Sequence, residues 1–169
     1  MNYLLSASVL ILLGIAVLTD VSSHRISNTL ILLGLVCSLV LQVVFYQVDG
    51  IFAWAGGLAV GLLCFLPLYM FGGMAAGDVK LVAMVGSFLG PVSVFWAAAV
   101  SLMAGGVLGF LMLLYKKQVG RFIQRYWTMT SLRTYIQPEV DDVARQPFPY
   151  AIAILLGTLA SIFWQPFGQ

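Results

Sequence analysis

Five stretches of the chain, residues 1–19, 26–48, 50–77, 81–115 and 146–169, hold no Asp, Glu, Lys or Arg. Each reaches or approaches the roughly 20 residues a helix needs to cross the hydrocarbon layer of a bilayer. A chain built this way must satisfy its backbone inside lipid. The composition agrees: 62% of the 169 residues are hydrophobic and 8% are charged, against roughly 25% charged in an ordinary soluble domain. Too little polar surface remains to cover a water-soluble fold. The stretches are too long and too evenly apolar for barrel strands, so an all-α membrane protein is expected.

Several function classes fall away at once. A net charge of +2 with no basic block on a soluble domain leaves no footprint for nucleic acid. Cys37 and Cys64 both lie in apolar stretches and form no C-x-x-C pair, so they read as small packing residues. Neither a disulfide framework nor a zinc site is expected, and no metal or cofactor is implied. The first stretch lacks a basic leading region and a small-x-small cleavage site before Asp20, which marks a retained span and not a signal peptide.

The spans are placed near 3–19, 29–46, 51–71, 74–89, 92–115 and 148–166. The 35-residue run 81–115 is divided because Gly90-Pro91 is the expected punctuation between two helices. Orientation supplies an independent check. With six spans and the N-terminus outside, all eight basic residues, Arg25, Lys80, Lys116, Lys117, Arg121, Arg125, Arg133 and Arg145, lie on the cytoplasmic side, as the positive-inside rule requires. An undivided 81–115 would put Arg25 and Lys80 across the membrane from the other six. Asp49 is then the only charge outside. Small-xxx-small pairs at Gly57/Gly61, Gly86/Gly90 and Gly105/Gly109 permit close helix approach in a single polytopic bundle of residues 1–169.

Between spans five and six, the polar segment 116–147 places Lys117, Arg121 and Arg125 on one side of a helical wheel. Val119, Phe122, Ile123 and Tyr126 share the other side. This pattern suits a basic amphipathic helix on the anionic inner leaflet; a solvated connecting loop is the plainer alternative.

Few ionisable groups remain near the bilayer. Asp20 closes the first span and Asp78 opens the fourth, both on the cytoplasmic side. Singly, Asp78 could be a helix N-cap, and Asp20 could pair with Arg25. Together they form a carboxylate pair delivered to one membrane face by different helices. Such a pair, holding one proton between its members, can polarise a water with one carboxylate while the other donates to a carbonyl. Asp20 also sits near a helix C-terminus, where a carboxylate opposes the macrodipole. His24 has no activating partner pattern, and Asp141-Asp142 lies in the polar segment.

The run Asp20-Val21-Ser22-Ser23-His24-Arg25-Ile26-Ser27-Asn28 resembles the first aspartate motif, D-x4-R-I-P-N, of the type IV prepilin peptidases. Ala75-Ala76-Gly77-Asp78-Val79-Lys80-Leu81 resembles their G-x-G-D-x-K motif, which marks the GxGD class of intramembrane aspartic proteases. Gly86–Gly90 and Pro147–Ala153 fit the family's later segments. Two positions depart: Ala75 stands for the first glycine of G-x-G-D, and Ser27 for the proline of I-P-N.

The resemblance implies an aspartic endopeptidase of the bacterial inner membrane, acting on prepilin or pseudopilin leader peptides from the cytoplasmic side. Asp20 and Asp78 would be the catalytic pair. Gly77 would let the substrate backbone approach, and Lys80, Arg25 and Asn28 would shape the motif loops. The chain opens directly into its first span without paired C-x-x-C motifs, which implies no methyltransferase domain. It is similar to the short peptidases of tight-adherence (Flp) pilus systems, which cut after a glycine just before the pilin's hydrophobic helix. Two rival readings use the same acidic pair: a non-enzymatic assembly or docking factor, suggested by Ala75 and Ser27, and a proton or cation path.

Overall fold

The computed structural model describes residues 3–23, 25–115 and 150–163. Every element among them is a helix: α1 (Tyr3–Ser23), α2 (Asn28–Met70), α3 (Ala76–Leu89), α4 (Pro91–Tyr115) and α5 (Ala151–Phe163). Three stretches, Tyr3–Ser23, Asn28–Met70 and Pro91–Met112, are long and apolar enough to cross a membrane. The described residues belong to two units. One holds 3–105 with 150–163 and carries everything discussed below; of the other only 106–115, the end of α4, is described. The expected basic helix around Lys117, Arg121 and Arg125 lies outside the described residues, as does His24.

α1 buries Leu5, Val9, Leu13, Ala16 and Asp20, a spacing of three and four that keeps one face of a helix against its neighbours. The carboxylate therefore stands on the same stripe as the core leucine and valine side chains. Asp20 does not end the helix, as the span boundary suggested. Thr19, Ser22 and Ser23 turn their hydroxyls back onto carbonyls of the preceding turn, and α1 runs on to Ser23. The chain then passes to α2, where Ser27 is the N-cap and its side chain accepts from the Thr29 N–H at 3.2 Å. The serine that replaces the motif proline has a local purpose: it satisfies a free donor at a helix start.

α2 folds back on itself. Gln47 sits at φ 53°, ψ −125°, breaking the helical path. Beyond it, Trp54 donates its indole N–H to the Leu35 carbonyl at 3.2 Å. In a straight helix those two residues would stand roughly 28 Å apart. The turn expected between 46 and 51 is thus the place where the two arms of α2 reverse. Proline 67 lies in the second arm near its end, and Gly72, at φ 72°, takes the left-handed conformation that stops the helix.

α3 is the central element. Of its residues from Asp78 to Leu89, all but Lys80 are buried. A helix covered on every side belongs inside a bundle, and at 14 residues it is only about 21 Å long. Its main neighbour is α2, with α1 and α5 also against it. The α2 contact is backbone to backbone. A Cβ at Gly57 would strike the Gly86 carbonyl, and one at Gly61 would lie 2.6 Å from the Val82 oxygen. Small residues here let the helices approach closely, as the spacing had suggested.

Candidate active site

The first turn of α3 begins at Ala75, which is the N-cap at φ −79°, ψ 149°. That region is open to any residue, so the alanine standing for the motif glycine costs no backbone strain. Asp78 is the third helical residue, not the cap. Its backbone N–H bonds the Ala75 carbonyl at 3.2 Å, and its carboxylate accepts a hydrogen bond from the Ala75 backbone. This is the reach-back half of a capping box, and it holds the carboxylate over the helix start.

Asp20 arrives from α1. Its Oδ2 accepts the Ala151 N–H at 3.2 Å, and among the described residues it makes no ion pair with Arg25, which is exposed. Ala151 is the first residue of α5, so the donor is one of the N–H groups that a helix leaves unpaired at its start. The positive end of α5 offsets the unfavourable dipole of Asp20's own helix. Each aspartate is only 6% exposed. Asp20 lies within electrostatic reach of Asp78, and Asp78 within reach of Tyr150. The structure brings together two carboxylates that the sequence separates by 58 positions.

The supporting residues divide. Lys80 Nζ donates to Asn28 Oδ1 at 3.1 Å, tying the second motif to the first, although both side chains are exposed. Gly77 faces Ile26 of the first motif; a methyl on it would meet the Ile26 Cβ at 3.5 Å, an ordinary contact. The fold itself has room for a side chain there. Arg25 is not brought to the pair. Tyr150 and Ala151 were visible in the sequence only as part of a family segment, yet they border both carboxylates. A backbone N–H donor carries no residue signature, which is why Ala151 could not be singled out.

A cavity of about 450 Å³ lies elsewhere, lined by Gln42, Tyr46, Asp49 and the end of α3 at Phe88–Gly90. It includes neither carboxylate of the pair.

An all-helical set of membrane-capable elements with two buried aspartates within electrostatic reach of each other defines a class able to carry out acid–base chemistry within the bundle. The model of the type IV leader peptidase family matches residues 7–115. The chain belongs to that family, and is by that membership a hydrolase of the prepilin peptidase kind. The match covers Asp20 and Asp78 with both motifs, and stops short of α5. No curated protein and no solved structure matches the chain.

Proposed function

We propose that this protein is an aspartic endopeptidase that removes the leader of Flp-type prepilins at the cytoplasmic boundary of the bacterial inner membrane, with Asp20 and Asp78 as its catalytic pair. The observation that carries the reading is the convergence of these two buried carboxylates from α1 and α3, each held by a helix-start N–H.

In the reaction, the ionised carboxylate takes a proton from water as the water oxygen bonds to the scissile carbonyl carbon. The protonated carboxyl gives its proton to the carbonyl oxygen, leaving a tetrahedral diol. One member of the pair then gives its proton to the leaving nitrogen while the other takes a proton from a diol hydroxyl as the C–N bond breaks, releasing leader acid and mature amine with the pair again holding one proton. Burial keeps the surroundings poor in competing water, which strengthens each of these interactions.

Six spans with the N-terminus outside accord with the reversal of α2 at Gln47 and with the basic residues of the sequence, and this orientation faces the pair toward the cytoplasm. Lys117, Arg121 and Arg125 would then lie against the anionic inner leaflet. The ordinary φ of Ala75 and the capping role of Ser27 favour an active enzyme over an impaired docking homologue.

The test is co-expression with a leader-bearing Flp-type prepilin, reading product mass. Cleavage after the leader's terminal glycine, without added methyl, is expected from wild type and absent with Asp20→Asn or Asp78→Asn. An uncut precursor across several Flp-type prepilins would overturn the reading.

A further inference from the structure

α5 contributes no carboxylate, and the family match ends before it, but its first turn is anchored more elaborately than a helix start requires. Tyr150 precedes α5 and its carbonyl accepts the Ile154 N–H at 3.1 Å, so it is the N-cap. Its ring rests on Gly105 of α4, where a Cβ would run into the phenol. Phe65 of α2, fully buried, meets the same ring edge-on with centroids 6.1 Å apart. The phenol hydroxyl donates to the Ser101 carbonyl at 3.3 Å. Further along, α5 is pressed onto α4 at Gly157, where a Cβ would strike Ser101 and Ala97, and Ser161 donates to the Ser93 carbonyl at 2.7 Å.

The residue after this anchored tyrosine is the one whose N–H holds Asp20. A hydrogen bond of 3.2 Å is sensitive to small movements of its donor, because such bonds weaken steeply with misalignment. Whatever fixes the first turn of α5 therefore fixes the direction of the Asp20 carboxylate. Asp20 from α1 reaches this turn through the Ala151 N–H, and Asp78 from α3 lies within electrostatic reach of Tyr150.

We propose that Tyr150 is a positioning residue of the peptidase: seated on Gly105 and against Phe65, it sets the first turn of α5 so that the Ala151 N–H aims Asp20 toward Asp78. The inference rests on the peptidase reading. It makes the aspartate geometry depend on a contact between α4 and α5 that contains neither aspartate. Misplacing a reacting group by about 1 Å costs on the order of 100-fold in rate, and such a loss falls on kcat while KM stays nearly constant.

The test uses full-length purified enzyme in detergent and a leader-bearing prepilin, with melting recorded for every variant. Tyr150→Phe keeps the ring on Gly105 and Phe65 and loses the hydroxyl's bond to the Ser101 carbonyl, so kcat should stay far closer to wild type than that of Tyr150→Ala. Tyr150→Ala should lower kcat roughly 100-fold with KM changed by no more than about twofold. Gly105→Ala pushes on the ring and should show the same signature. Gly105→Ala combined with Tyr150→Leu, whose smaller side chain leaves room for the added methyl, should recover about tenfold over Gly105→Ala alone.

Wild-type kcat in folded Tyr150→Ala, or a loss confined to KM, would overturn the proposal. Where Tyr150→Ala melts below the assay temperature, the Gly105 pair decides, and a double variant no better than the single one overturns it. Absence of cleavage by wild type would instead sink the peptidase reading, so the two failures are distinguishable.

Discussion

The two ends of α3 both bury polar side chains, and they do so in opposite ways. At the C-terminal end, Ser87 donates to the Met84 carbonyl at 2.6 Å and shares a 2.7 Å hydrogen bond with Ser38. Trp54 donates to Ser38 at 3.0 Å, and Gln42 donates to the Phe88 carbonyl at 3.1 Å. Neutral groups satisfy one another there, beside glycines that meet backbone to backbone. At the N-terminal end, two carboxylates are brought together with a backbone donor each, and a methyl on Gly77 would make only ordinary contact. A closed neutral network is a means of fixing helices in register. A pair of buried carboxyl groups adds nothing to stability by itself, so its presence points to chemistry.

The contrast can be broken most forcefully by exchanging charge for amide at the reacting end. Asp78→Asn should lower prepilin cleavage by about a thousandfold or more while leaving the detergent melting point unchanged or raised, since a buried ionisable group is replaced by a neutral amide of the same shape. A variant that cuts normally, or one that simply unfolds, would erase the distinction between the ends. Next in size is Gly57→Ala, whose methyl would meet the Gly86 carbonyl; overpacking of this kind costs about 1–3 kcal/mol, read as a lowered denaturation midpoint. Ser87→Ala leaves Ser38 short of one partner and should cost about 1 kcal/mol, with kcat of the folded enzyme near wild type. Smallest in stability is Gly77→Ala, which the fold accommodates and which should be neutral or raise stability by roughly 0.5–1 kcal/mol. If substrate backbone approaches Gly77, KM should rise in that variant; an unchanged KM would move the approach path away from it.

Much of this architecture could be read before any coordinates. Charge-free runs set the helices, Gly90-Pro91 marked the division between α3 and α4, and the turn near Asp49 fell within two residues of the break at Gln47. Asp20 and Asp78 stood out because ionisable residues are costly at membrane depth. The missed features are those in which the partner is generic. Ser38 and Ser87 pair across 49 positions, and Lys80 reaches Asn28 across 52, with nothing local to announce either contact. The Ala151 donor is a backbone group, and Tyr150 acquires meaning only when Gly105 and Phe65 are placed around it. The extension of α1 past Asp20 came from hydroxyls bonding backward, a detail that span-level hydropathy does not register.

Single-turnover cleavage of a prepilin in heavy-oxygen water tests most directly whether Asp20 and Asp78 act on water together. One heavy oxygen in the new C-terminal carboxylate of the leader, none in either aspartate, and no product from Asp20→Asn or Asp78→Asn is the predicted result. Heavy oxygen incorporated into Asp20 or Asp78, or leader released by either variant at the wild-type rate, would contradict it.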